Sequence, residues 1–234
     1  MKIAVPGMKT LWIFGGLSLV LLVVLVYLGR EADPHGRNRV DLAVNETIAL
    51  DLALNLEVLK LSQGRSLNYD GLVAIGRAID ENLRELDGEF ARLGVEGELV
   101  PVASSWAEKQ LQVERFKRVN SIFNTSQRHF ANLAEELTPR QESGRLAVAA
   151  QQVMSFMMRG GNDPLPPLIG AMDLLDKEIP QWKQANQGEG RLLVQHGNFL
   201  LANIREVQGI SQAILDSPIE AQLSRTHHRY AEAH

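Results

Sequence analysis

The chain changes pattern once. Leu11–Leu28 is an uncharged apolar run, and after Arg30 apolar and polar positions recur at helical spacing. As a helix the run would reach ~27 Å at ~1.5 Å per residue, close to the ~30 Å hydrocarbon core of a bilayer. It predicts an uncleaved transmembrane helix over 11–28. The run is longer than the ~7–15 apolar residues of a signal peptide, and Gly29-Arg30-Glu31 is a poor cleavage site. Residues 1–10 form a tail, and 29–39, with Pro34 and Gly36, a polar connector. Lys2 and Lys9 precede the run and Arg30, Arg37 and Arg39 follow it, so flanking charge does not decide its orientation.

Seven helices are predicted over 40–234. Val40–Ser62 carries Ile48, Leu52, Leu56 and Leu59 on one stripe, with Leu50, Leu54 and Leu61 beside it, and Gly64 ends it. The next helix follows Asp70 as cap, with Leu72, Ile75, Ile79, Leu83, Leu86, Phe90 and Leu93 at heptad-like steps before Gly94. Val95–Val102 reads as a connector, and Ser105–Glu108 as the capping box of a helix running to Leu137. That helix turns Leu111, Phe116, Val119, Phe123, Phe130 and Leu133 inward. A shorter helix spans 142–159, and Gly160–Pro164 is a loop. Residues 165–187 are helical with a kink or end at Pro180, and Gly188-Glu189-Gly190 is a further break. Arg191–Ser217 carries Leu192, His196, Phe199, Leu200, Ile204, Val207, Ile210 and Ile214 on its apolar face, and Pro218 opens a last helix, 219–234. The fold class is all-α. Long helices with short loops imply an elongated antiparallel bundle, or two bundles stacked end to end.

Composition narrows the chemistry. Nine prolines among 234 residues, with few aromatics, suit helices. A net charge of −4 with mixed signs leaves no footprint for nucleic acid. The absence of cysteine removes disulfides, thiol catalysis and thiolate metal sites. No phosphate loop, HExxH or Ser-His-Asp signature occurs, so no enzyme, cofactor or metal is expected.

Four clusters are candidates for binding. Asn68, Tyr69 and Asp70 form either a turn and cap or a convergent polar set for a ligand. Asn120 and Asn124, one turn apart on an apolar face, either fix helix register or line a cavity. His196 reads first as a core histidine, with ligand contact as the alternative. His227, His228 and His234 lack the spacing of a metal site and read as solvated surface.

Leu54–Val73, Val113–Phe130 and Val194–Val207 resemble, in order and spacing, the double all-helical ligand-binding (DAHL) family over roughly Leu50–His234. Its most specific parts are Asn68-Tyr69-Asp70 and the segment with Phe116, Lys117 and Asn120. Where the family tends to read Asn-Ser, this chain has Asn124-Thr125. The resemblance implies an extracytoplasmic sensor domain of a bacterial membrane signalling protein, typically a sensor histidine kinase. It implies an inner-membrane location with the bulk of the chain periplasmic, a homodimer, and a small-molecule or protein ligand. It also implies a second membrane helix and a cytoplasmic output beyond this sequence. The alternative is a membrane-anchored helical scaffold that binds another envelope protein and no small ligand.

Overall fold

The computed structural model describes residues 34–92, 95, 97–140, 144–159 and 164–233. The apolar run Leu11–Leu28, the tail before it, Leu93, Gly94, most of the Gly160–Pro164 loop and His234 lie outside these residues. None of the described helices is long and apolar enough to cross a membrane. Seven α-helices are described: α1 (Pro34–Ser62), α2 (Asp70–Arg92), α3 (Val100–Leu137), α4 (Arg145–Met158), α5 (Leu165–Glu178), α6 (Gln184–Leu215) and α7 (Ile219–Ala233). Short 3-10 turns follow α3 at Thr138–Arg140 and α5 at Ile179–Gln181. No strand occurs among the described residues, in keeping with the all-α expectation.

α1 starts at Pro34, earlier than Val40, so half of the expected connector is helix. Proline is well placed to open one, because its missing N–H would have had no helical partner there. Its buried face also differs from the expected stripe. Leu52 and Leu56 are exposed, while Val40, Val44, Thr47, Asp51, Leu54, Val58 and Leu61 are buried. Those residues step by four and three throughout, a heptad seam with two polar members. The helix ends as expected at Gly64, whose φ of +67° is the left-handed conformation glycine tolerates best. Arg65 N–H donates to the Lys60 carbonyl at 3.0 Å and Gly64 N–H to Leu61 at 3.1 Å, the paired bonds of a Schellman cap.

α3 begins at Val100 with Pro101 in its first turn, not at the Ser105 capping box. Trp106 instead lies on its buried seam, with Val102, Lys109, Val113, Phe116, Asn120 and Phe123. Leu111, expected inside, is exposed. Downstream, the chain breaks at Pro180 through the 3-10 turn, and Trp182 is extended. Gly188 and Gly190 therefore do not interrupt a helix: both lie inside α6. A Cβ on Gly190 would fall 2.5 Å from the Trp182 ring. Glycine is there because an indole packs against the backbone. Leu192, also expected on the apolar face, is half-exposed.

α3 and α6 form the spine. Arg115 pairs with Glu206 at 2.8 Å, the rings of His129 and His196 stack, and Arg140 meets Glu189 at 3.3 Å. Rising numbers on α3 meet falling numbers on α6, so the two are antiparallel. The 38 residues of α3 extend ~57 Å. Around its first half pack α1, α2, the end of α6 and α7. Around its second half pack α4, α5 and the start of α6, with Met172 and Phe130 against Gly197 and Arg145 paired with Glu178. Two helical bundles, of five and four helices, thus stack end to end and share their longest helices.

At the free end of the first bundle the start of α1 meets the end of α7. His227 Nε2 lies 2.6 Å from Asp41 Oδ1, Arg39 pairs with Glu89, and the rings of Phe90 and Tyr230 meet edge to face.

Candidate functional site

At the other end of the first bundle, α1 stops, the chain turns through Arg65–Tyr69, and α2 begins. The Leu61 carbonyl lies in the last turn of α1, where no intrahelical donor remains for it. Asn120 Nδ2 donates to it at 3.1 Å and Asn124 Nδ2 at 3.4 Å, both reaching across from α3. Asn120 also donates to the Tyr69 hydroxyl at 3.0 Å. The bundle turn is therefore fastened to the middle of α3 by two amides and a phenol. Burial raises the Tyr69 pKa above its ordinary 10.0, opposed by the hydrogen bonds from Asn120 and Asn124. Asn120 is fully buried, and its Oδ1 has no hydrogen-bond partner among the described residues.

Of the sequence candidates, Tyr69, Asn120 and Asn124 come together here. Asn68 and Asp70 do not join them: both are exposed. Asp70 is the first helical residue of α2 rather than its cap, and Asn68 Oδ1 accepts from Asp70 N–H at 2.8 Å. An amide two residues before the helix does the work assigned to the carboxylate.

Further along the same bundle lies a cleft that the sequence did not single out. α2 packs along α1 but meets α3 at few places. Between α2 and α3 this leaves an open cleft of about 650 Å³. Leu54, Leu72 and Val113 line it with apolar surface, and Arg77, Glu114 and Lys117 add charged groups to the lining. Asp80 on α2 bridges it, accepting from Trp106 Nε1 at 2.6 Å and from Gln110 Nε2 at 3.0 Å. Gly76 faces the Trp106 ring, 4.0 Å from where its Cβ would stand. An apolar pocket with a few convergent polar groups has the make-up of a small-molecule site. The available signal was Trp106 at heptad spacing with Val102 and Lys109.

His196 lies in the second bundle and is half-buried. Its ring stacks on His129 with centroids 5.4 Å apart and 15° between planes. Burial and the neighbouring His129 hold its pKa below the ordinary 6.5. It thus lies outside the Tyr69–Asn120 junction, with its partner His129 further along α3. His227 pairs with Asp41, and His228 lies 3.3 Å from Glu232. No metal-ligand cluster occurs among the described residues.

Neither the curated proteins nor the solved structures contain a match to this chain. A family model for the DAHL domain does match, over residues 32–234. That span takes in every described helix, and it begins before Leu50, where the resemblance was expected to start. The chain belongs to the DAHL domain family, a family of helical sensor domains of signalling proteins.

Proposed function

We propose that the chain is the sensory part of a bacterial membrane signalling protein, and that the cleft between α2 and α3 receives a small ligand. Leu11–Leu28 anchors it in the inner membrane, and the helical domain stands on the periplasmic side. The output is that of a sensor histidine kinase carried by a longer protein, working as a homodimer.

The observation that carries the ligand site is the construction of the cleft. α2 is seated on α1, but across the cleft its bonds to α3 are those of Asp80 with Trp106 and Gln110. A ligand that competes for Trp106 or Gln110, or fills the apolar floor, changes the spacing of α2 and α3. A signal needs two packings that differ by a few kcal/mol and a ligand that prefers one of them. α2 runs from the Tyr69–Asn120 junction to the end of the bundle where α1 starts. A shift in its tilt therefore reaches the end nearest in sequence to Leu11–Leu28.

Two experiments test this. A thermal-shift screen of the full chain in detergent against small metabolites is expected to give a rise of a few degrees at saturation, since binding stabilises by RT ln(1 + [L]/Kd). Gly76→Trp fills the cleft and is expected to abolish that rise while leaving the chain folded. A flat response across a broad library overturns the ligand reading. Reporter enzymes fused after Asp33 test location; activity confined to the cytoplasmic side overturns the periplasmic reading. A second reading, a helical scaffold that docks another envelope protein, draws support from Leu42, Leu52 and Leu56, which are exposed on α1.

A further inference from the structure

α1 carries two heptad seams. The inner one, from Val40 to Leu61, packs into its own bundle. The outer one is Leu42, Asn45, Ala49, Leu52 and Leu56, stepping by three, four, three and four, and every member is exposed. Leu42 is 67 %, Leu52 49 % and Leu56 59 % accessible, high values for leucines in one row on a helix that is otherwise well packed. Half-buried Ile48 and Ala53 widen the stripe on either side. Among the exposed residues from Leu42 to Leu56, Glu46 alone bears a charge.

We infer that this face pairs with the same face of a second copy of the chain, as a parallel two-stranded seam. Two features argue for a copy. First, steps of three and four over two heptads are the spacing by which helices of a coiled coil interlock, and Asn45 in that row meets its own equivalent, a matching amide, when two parallel copies lie in register. Second, the apolar run ends at Leu28 and α1 starts at Pro34. Two copies held by that run in one bilayer present α1 side by side and pointing the same way, at high effective concentration. The parallel direction rests on the anchoring proposed above, but not on which side of the membrane the domain occupies or on any ligand.

The test exploits the absence of cysteine from the chain. Full chains carrying a single Leu42→Cys, Ala49→Cys, Leu52→Cys or Leu56→Cys are reconstituted in vesicles and oxidised with copper-phenanthroline. Each is expected to give a disulfide-linked dimer at several-fold higher yield than Asp87→Cys on α2 or Gln195→Cys on α6, both exposed positions. In sedimentation of the full chain in detergent, Leu52→Glu is expected to weaken self-association at least tenfold without loss of helicity, because the residue contributes little to its own bundle. Mixing Leu52→Glu with Leu52→Lys chains is expected to restore the dimer. Equal cross-linking at seam and control positions overturns the inference. So does cross-linking of Leu42→Cys to Leu56→Cys chains in preference to like pairs, which marks an antiparallel pairing. A cytoplasmic result in the reporter assay overturns the periplasmic location alone and leaves the cross-linking result to stand or fall by itself.

Discussion

Lys109 Nζ donates to Asp51 Oδ1 at 2.6 Å across the seam between α1 and α3, with side-chain exposures of 0 % and 4 %. Asn55 Oδ1 accepts a second bond from the same ammonium at 2.9 Å. Two charges on opposing heptad seams meet inside the first bundle, where desolvation opposes the gain from their attraction. Removing one partner strands the other, so Asp51→Leu or Lys109→Met is expected to cost about 3–5 kcal/mol in chemical denaturation. The double variant Asp51→Leu with Lys109→Met is expected to lie near the wild type. It should also lose register specificity, visible as broader unfolding transitions. The pH dependence has a definite sign. Burial lowers the Lys109 pKa below 10.5, against the effect of Asp51. Between the lowered native value and 10.5 the unfolded chain holds more protons, so this residue makes stability rise with pH across that window. Lys109→Met should remove that contribution.

Asn120 is expected to act through the turn it holds. In Asn120→Leu the Tyr69 hydroxyl loses the Asn120 donor and the Leu61 carbonyl keeps only Gly64 N–H and the longer bond from Asn124. A cost of about 1–3 kcal/mol follows from leaving buried polar groups short of a partner. Asn120→Asp should be worse, because a carboxylate cannot donate to a carbonyl. Tyr69→Phe removes the other end of the pair. Tyr69→Phe with Asn120→Leu should therefore cost less than the two single changes summed, a coupling that a double-mutant cycle reads directly.

These two sites show where sequence periodicity is informative and where it fails. The all-α class, the stop at Gly64 and the break near Pro180 are written in local backbone chemistry, and the structure has all three. The inner seam of α1 was obscured because Thr47 and Asp51 occupy two of its positions. A count of apolar residues reads such positions as solvent-facing, and so favoured the outer leucines. Lys109 hides in the same way on α3. Asn120 and Asn124 were legible as polar residues on an apolar face, but not what they hold, since the Leu61 carbonyl comes from another helix. The cleft left only Trp106, at seam spacing on α3, as a trace in the sequence. It depends on how far α2 stands from α3, which neither helix's own pattern sets.

His196 gives a second pH effect of the same sign, at the acid end. Burial and His129 keep its pKa below 6.5, so protons bind the unfolded chain more readily between 6.5 and the lowered native value. Stability from this residue is complete above 6.5 and is lost as pH falls through that interval. His196→Phe keeps a ring against His129 but removes the titration. Urea denaturation at pH 7.5 and pH 5 is expected to show a larger loss on acidification for the wild type than for the variant.

The glycines of α6 allow a comparison in which helix propensity and packing point in opposite directions. Alanine should favour either position by about 1 kcal/mol from propensity alone. At Gly190 the new methyl would stand 2.5 Å from Cζ3 of Trp182 and 3.2 Å from Ile179 Cγ1. The indole is rigid and buried, and the Gln187 amide binds the Trp182 carbonyl at 3.0 Å, so the ring cannot step aside without moving the turn. At Gly197 the nearest atom, also at 2.5 Å, is the terminal methyl of Met172, the end of a flexible side chain, although Phe130 follows at 3.0 Å. Overpacking of about 1–3 kcal/mol should therefore dominate at Gly190. Gly197→Ala should fall closer to neutral, because Met172 can adopt another rotamer. Thermal unfolding of the two variants is expected to place Gly190→Ala several degrees below Gly197→Ala. The reverse order would mean that the contact between Trp182 and α6 is looser in solution than the helix break at Pro180 requires.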